Sequence, residues 1–112
     1  SSAGRSPTAV LVVGEPAFAS AMDPVLEPLG HTAVVCAPAD DPLQIALEDH
    51  TLGAATVLLE PGRNGLHALE IIRRIRPKLP IVAIGAQASI GEAVRAMQLG
   101  AESYVPLHSP SE

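Results

Sequence analysis

Five short apolar runs, each closed by turn residues, alternate with four stretches of helical period, and this alternation leaves few folds open. The runs are Thr8 to Val13, Thr32 to Cys36, Ala54 to Glu60, Ile81 to Ile84 and Ser103 to Val105. Brief apolar runs rich in β-branched residues and bounded by Gly, Pro, Asn or Asp read as strands buried on both faces of a parallel sheet. The third run is the pivot. In Val57-Leu58-Leu59-Glu60-Pro61-Gly62-Arg63-Asn64-Gly65 an apolar strand passes directly into a carboxylate and a turn. Open α/β sheets carry their chemistry at the C-terminal ends of such strands, so Glu60 is the first candidate for a working group.

The segments between the runs read as helices. Gly14-Glu15-Pro16 breaks the first strand, and Phe18, Met22, Val25 and Leu29 then recur at helical spacing. Pro24 and Pro28 lie inside that pattern, where each removes a backbone donor and predicts a kink or early stop before Gly30. Asp41-Pro42-Leu43-Gln44 reads as an N-cap acid, a proline at the first helical position and a glutamine three after the cap, with Leu43, Ala46 and Leu47 inward. The spacing predicts a helix over 66–76, with Leu69, Ile72 and Ile75 inward and Glu70 paired to Arg74 outside. Ser89-Ile90-Gly91-Glu92 is a capping box opening a helix whose periodic residues are Ile90, Ala93, Val94 and Met97, closed by Gly100. Four strand–helix units and a last strand predict a parallel sheet with helices on both faces and right-handed crossovers. The expected fold class is α/β, a flavodoxin-like three-layer sandwich with strand order 2-1-3-4-5. The sequence stops where a fifth helix would begin, so that helix is expected to be missing or truncated, in a fragment of a longer protein. Residues 1–7 read as a flexible tail or linker and residues 8–112 as one domain.

Composition narrows the function classes. A chain of 112 residues with 47% hydrophobic and 17% charged content builds one modest core, and 2% aromatics means a core of Ala, Val, Ile and Leu. A net charge of −5 argues against direct nucleic-acid binding and against an anionic membrane, since both need a basic surface. Cys36 is the single cysteine and cannot form an internal disulfide, which fits a reduced, cytoplasmic setting. No apolar run approaches the roughly 18 residues that span a bilayer. His31, His50, His67 and His108 lack zinc-site spacing, so no metal or cofactor is expected.

One longer stretch is more specific. Residues 80–105, PIVAIGAQASIGEAVRAMQLGAESYV, together with TAVLVVGE over Thr8 to Glu15 and VLLEPGRNG over Val57 to Gly65, resemble the receiver domain of bacterial response regulators. Within that family the stretch over residues 79–107, LPIVAIGAQASIGEAVRAMQLGAESYVPL, is similar to atypical receivers at the head of some sigma-54-dependent flagellar activators and to degenerate receivers in hybrid histidine kinases. The resemblance implies a phosphoryl site of five groups. Two acids after the first strand and an Asp after the third hold Mg²⁺, and that Asp accepts the phosphoryl group from a histidine kinase. A hydroxyl after the fourth strand and a Lys after the fifth contact the phosphoryl oxygens. Such transfer needs a hard cation with oxygen ligands and positive charge against the equatorial oxygens. At these positions this chain carries Gly14 and Glu15, Glu60, Gly85, and Leu107, with His108 in place of the usual following proline. The loop after Glu60 is shortened; an ungapped match would put Val57 at the acceptor position, which is equally unable to accept a phosphoryl group. The resemblance therefore implies a degenerate pseudo-receiver that is not an enzyme.

Each remaining candidate has two readings. Glu60 either mimics a phosphorylated aspartate or is a solvated carboxylate at a strand end, and with Glu15 it is at most a weak cation site. Gly14 and Gly85 either open a ligand pocket or let neighbouring groups collapse inward. Arg63, Arg73, Arg74 and Arg76, with Lys78 beside them, either hold a phosphate-bearing ligand such as a cyclic dinucleotide or form a solvated helix face. Tyr104 matches the family's aromatic switch position and is expected to be a fixed, half-buried ring. Arg95, Gln98, Glu102, Tyr104 and Pro106 fall on the family's partner-contacting face. The expected function is a phosphorylation-independent regulatory module in a bacterial two-component signalling or transcription protein. It would act by contact with a protein partner, with an adjacent domain of its own chain, or as a homodimer. The alternatives are a small-ligand sensor and a residual phosphoacceptor.

Overall fold

A computed structural model describes residues 8–60, 62, 64–87 and 89–107. In chain order the elements are β1 (Thr8–Val13), α1 (Pro16–Leu26) with a 3₁₀ turn at Glu27–Leu29, β2 (His31–Cys36), α2 (Asp40–Ala46), β3 (Leu52–Leu59), α3 (Gly65–Ile75), β4 (Ile81–Gly85), α4 (Ile90–Gln98) and β5 (Ser103–Pro106). The five strands form one all-parallel sheet in the order β2-β1-β3-β4-β5. This is the flavodoxin-like arrangement that the alternation of runs predicts. The expectation about a fifth helix falls on residues outside the described ones, as do Arg63, His108 and the 1–7 tail.

Two unequal cores sit on either side of the sheet. On one face Leu11, Val13, Val57, Leu59, Ile81 and Ala83 pack with Leu43 and Leu47 of the α2 region, Ala68, Leu69, Ile71 and Ile72 of α3, and Ala96 of α4. On the other face Val10, Val12 and Leu58 meet Phe18, Ala19 and Leu26 of α1. The near absence of aromatics makes this packing mostly aliphatic, with Phe18 the buried aromatic among the described residues, and the largest fully buried side chains are Leu, Ile and Val.

Several local expectations are corrected. Pro24 stays inside α1, but the early stop is as expected: the α-helix ends at Leu26 and tightens into the 3₁₀ turn containing Pro28 before Gly30 reverses the chain at φ +79°. Val25 and Leu29 are exposed, and the inward face of α1 runs through Phe18, Ala19 and Leu26 instead. The N-cap of α2 is Ala39 and not Asp41; Asp40 and Asp41 occupy the first turn, where they complement the helix dipole. Ile75 is exposed, whereas Ile71 and Ala68 are buried. Glu70 faces His67 Nδ1 at 3.9 Å, and no pairing with Arg74 is found among the described residues. β3 ends on Leu59, so Glu60 is the first residue beyond the strand.

The largest correction is in α4. Its buried side chain is Ala96, while Ile90, Val94 and Met97 are 86%, 48% and 47% exposed. The residues read as the inner face are thus largely the outer one. α4 lies close to β4 and β5 through alanines, and its bulkier apolar side chains point away from the core.

Candidate functional site

The parallel order brings the ends of β1, β3 and β4 side by side. Val13 is in register with Val57, and Leu59 with Gly85. The loops that leave these ends carry the sequence candidates. Gly14, Glu15 and Glu60 come together and, with Pro16, Ala17, Ala37, Pro38 and Leu58, line a cleft of about 390 Å³. The Gly14 amide donates to the Cys36 carbonyl at 3.1 Å, fixing the first loop against the end of β2. Space at Gly14 is limited: a Cβ there would stand 3.0 Å from Phe18 Cδ2 and 3.2 Å from Leu58 Cβ. Cys36 is buried beside this loop, and burial pushes its thiol pKa up, so it is a core thiol and a poor nucleophile. Among the described residues no group of three or more His, Cys, Asp or Glu side chains converges as a metal site.

The other two positions of the five-group set do not open into that cleft. Leu107 is half exposed, and its amide donates to the Gly85 carbonyl at 2.8 Å. Gly85 is buried, and the space above it is filled. A Cβ built there would overlap the Tyr104 hydroxyl and lie 2.5 Å from Cζ and 3.0 Å from Cε1. Of the two readings for Gly85, collapse holds: the Tyr104 ring occupies the place a side chain would take. The Tyr104 hydroxyl is 3.2 Å from the Gln87 carbonyl and 3.1 Å from Glu92 Oε1. Burial first and the Glu92 carboxylate second raise the phenol pKa above its ordinary value, since both disfavour a phenolate. Glu92 was legible only as a cap residue. Its amide does donate to Ser89 Oγ at 3.2 Å, but its side chain serves Tyr104.

The arginine cluster divides. Arg73 donates to the carbonyls of Arg76, Pro77 and Gly100 at 3.1, 2.6 and 2.7 Å. Arg76 donates to the carbonyls of Leu47, Asp49 and Leu52 at 3.2 to 3.4 Å. Both guanidinium groups thus cap main-chain acceptors at the ends of α2, α3 and α4, and Arg74 is exposed. Forks that satisfy backbone carbonyls are spoken for before any phosphate arrives.

The face of α4 and β5 carries Arg95, Gln98, Glu102 and Pro106, all exposed, with Tyr104 half-buried between them and the core. Ile90, Val94, Met97, Val105 and Leu107 are exposed on the same two elements and the residue that follows. Exposed apolar side chains gathered on adjoining elements mark contact surfaces.

No family model matches the chain. It is 32% identical over 98 residues to the nitrogen assimilation regulatory protein NtrX of Azorhizobium caulinodans; the match covers 86% of this chain and 22% of that protein. The chain therefore spans about a fifth of that relative's length. Among solved structures it is similar to the receiver domain of NtrX from Brucella abortus, with a TM-score of 0.75 and 25% identity over 91% of this chain and 88% of that one. It is also similar to a response regulator protein from Burkholderia pseudomallei solved with a phosphorylated aspartic acid, calcium ion and citrate. There the TM-score is 0.77 and the identity 27%, over 91% of this chain and 61% of the other.

Proposed function

Because this chain belongs to the receiver-domain family of two-component response regulators, we propose that it is a regulatory module that works by protein contact without phosphoryl transfer. The observation that carries this reading is the filled space over Gly85: the Tyr104 ring stands where the resemblance puts a phosphoryl-binding hydroxyl. Leu107, half exposed and uncharged, supplies no cation for phosphoryl oxygens, and Glu60 sets its carboxylate one methylene further out than an aspartate would. The module catalyses nothing itself and needs no cofactor. Its partner is a protein or an adjacent domain of the same polypeptide, or a second copy, met through the α4 and β5 face; the setting is cytoplasmic and nucleic acid is not bound directly. No helix among the described residues is long and apolar enough to cross a membrane.

The cleft beside Gly14, Glu15 and Glu60 supports a second reading, a small-ligand sensor. The engagement of Arg73 and Arg76 by main-chain carbonyls weighs against a cyclic dinucleotide held by the arginine cluster.

The test is intact mass measurement after incubation with Mg²⁺ and acetyl phosphate, paired with sedimentation of the wild type and Arg95→Ala. The expected result is no phosphoryl adduct and weaker association in the variant. A stoichiometric adduct at Glu60 overturns the reading.

A further inference from the structure

We infer that Asn64 is a site of spontaneous covalent modification, at which the backbone nitrogen of Gly65 converts the side-chain carboxamide into a carboxylate at the start of α3. This chemistry is independent of the contact-based reading above and outlives its failure.

The step is a ring closure within two residues. The Gly65 amide nitrogen gives up its proton and attacks Asn64 Cγ. The N–Cγ bond forms, the Cγ–Nδ2 bond breaks, and ammonia leaves with the proton. Water then opens the five-membered imide. Attack at Cγ gives aspartate, and attack at the main-chain carbonyl gives isoaspartate. Water is the co-reactant, and nothing is oxidised or reduced.

Three observations favour closure here. First, Asn64 is exposed and stands at the N-cap of α3, yet its side chain makes no capping hydrogen bond, so the helix does not hold the carboxamide away. Second, the attacking nitrogen lies before the helical ladder. The Gly65 amide is the first of α3, and the ladder opens with the Ala68 amide donating to the Asn64 carbonyl at 2.8 Å. Turning the peptide plane between Asn64 and Gly65 therefore breaks that one helical hydrogen bond. Third, a side chain at residue 65 would shield the nitrogen, and packing forbids one. A Cβ there would stand 2.7 Å from both the Leu58 carbonyl oxygen and Leu59 Cδ2. The crowding that seats α3 on β3 thus keeps the nitrogen bare. Asn64 shares a recess of about 230 Å³ with Glu60, His67 and Glu92. Conversion turns an uncharged group there into a third carboxylate and makes the net charge one unit more negative than −5. The isoaspartate product also lengthens the main chain by one carbon where β3 hands over to α3.

Asn64 is the single asparagine, so loss of ammonia from an asparagine reports on this residue alone. Folded protein and protein unfolded in guanidinium chloride are kept side by side at mildly alkaline pH and followed by intact mass. Trypsin cuts after Arg63 and Arg73, and the 64–73 peptide gives the location and the isoaspartate share. The folded chain should convert no more than about tenfold slower than the unfolded one, the cost of opening one hydrogen bond. The rate should rise with pH, and a more acidic species should build up on anion exchange. Asn64→Ser should form none. A folded chain that converts more than about tenfold slower overturns the proposal, because the fold then locks the carboxamide away. So does an unchanged 64–73 peptide beside a rising intact mass, which would move the reaction to Gln44, Gln87 or Gln98. The peptide gives its answer even if Asn64→Ser folds poorly.

Discussion

Thr56 shows how sharply a single side chain can be tested in this fold. It lies in register between Val12 of β1 and Val82 of β4, is 5% exposed, and its Oγ1 has no hydrogen-bond partner among the described residues. A buried hydroxyl without a partner keeps its desolvation cost and gains nothing for it. Thr56→Val, which keeps the β-branched shape, should therefore stabilise the protein by about 1 kcal/mol in urea unfolding, with an unchanged denaturant slope. A loss of stability would mean that the hydroxyl is satisfied after all. Residue-scale legibility in the sequence was uneven. Gly14, Glu15 and Glu60 were found because strand ends in a parallel sheet converge whatever the loops do. The pairing of Gly85 with Tyr104 was not, because a glycine in a sequence signals a missing side chain and cannot say which distant ring has moved into its place.

At the scale of elements, the α3 terminus is held by Arg73. Its guanidinium bridges the end of α3, the following turn and Gly100, and Gly100 itself has no room for a Cβ against Arg73 Cγ and Nε at 2.8 and 2.7 Å. Arg73→Ala leaves two partly buried carbonyls, those of Arg76 and Gly100, and the exposed one of Pro77 without their donor, and should cost roughly 1–3 kcal/mol by urea unfolding. Arg73→Lys should recover only part of that, since an ammonium cannot span the fork. An Arg73→Ala protein as stable as wild type would show that water replaces the fork at no cost. Sequence pattern located the five strands and four α-helices within a few residues but misjudged which side of α4 is buried, and the reason is physical. Periodicity shows that a helix has an apolar stripe, and the bulkiest stripe reads as the inner one. In α4 the buried side chain is Ala96, whose small volume lets the helix lie close, with Leu99 just past its end also packed on the core, and Ile90, Val94 and Met97 are left outside. A helix with two apolar sides gives no sequence signal for which side is buried.

For the molecule as a whole, the sheet ends on β2 on one side and β5 on the other, and the two borders differ. β5 is four residues long and finishes on Pro106, which has no amide to offer an incoming strand. β2 runs six residues, His31–Cys36, without a proline or a formal charge, and Val35 on it is 52% exposed. Natural sheets usually blunt such a border with lysine, proline or a bulge. Among the described residues, the order that assembles the cleft thus also leaves a template for intermolecular β-pairing at the far side of the sheet from Tyr104. Val35→Lys should lower light scattering on heating while shifting stability by no more than about 0.5 kcal/mol, the usual span for a surface change. A protein that scatters equally with lysine in place would locate its stickiness elsewhere. If scattering falls, thermal damage to this receiver begins at β2, and adding one ammonium group there is a route to storing it concentrated without touching the surface it uses to signal.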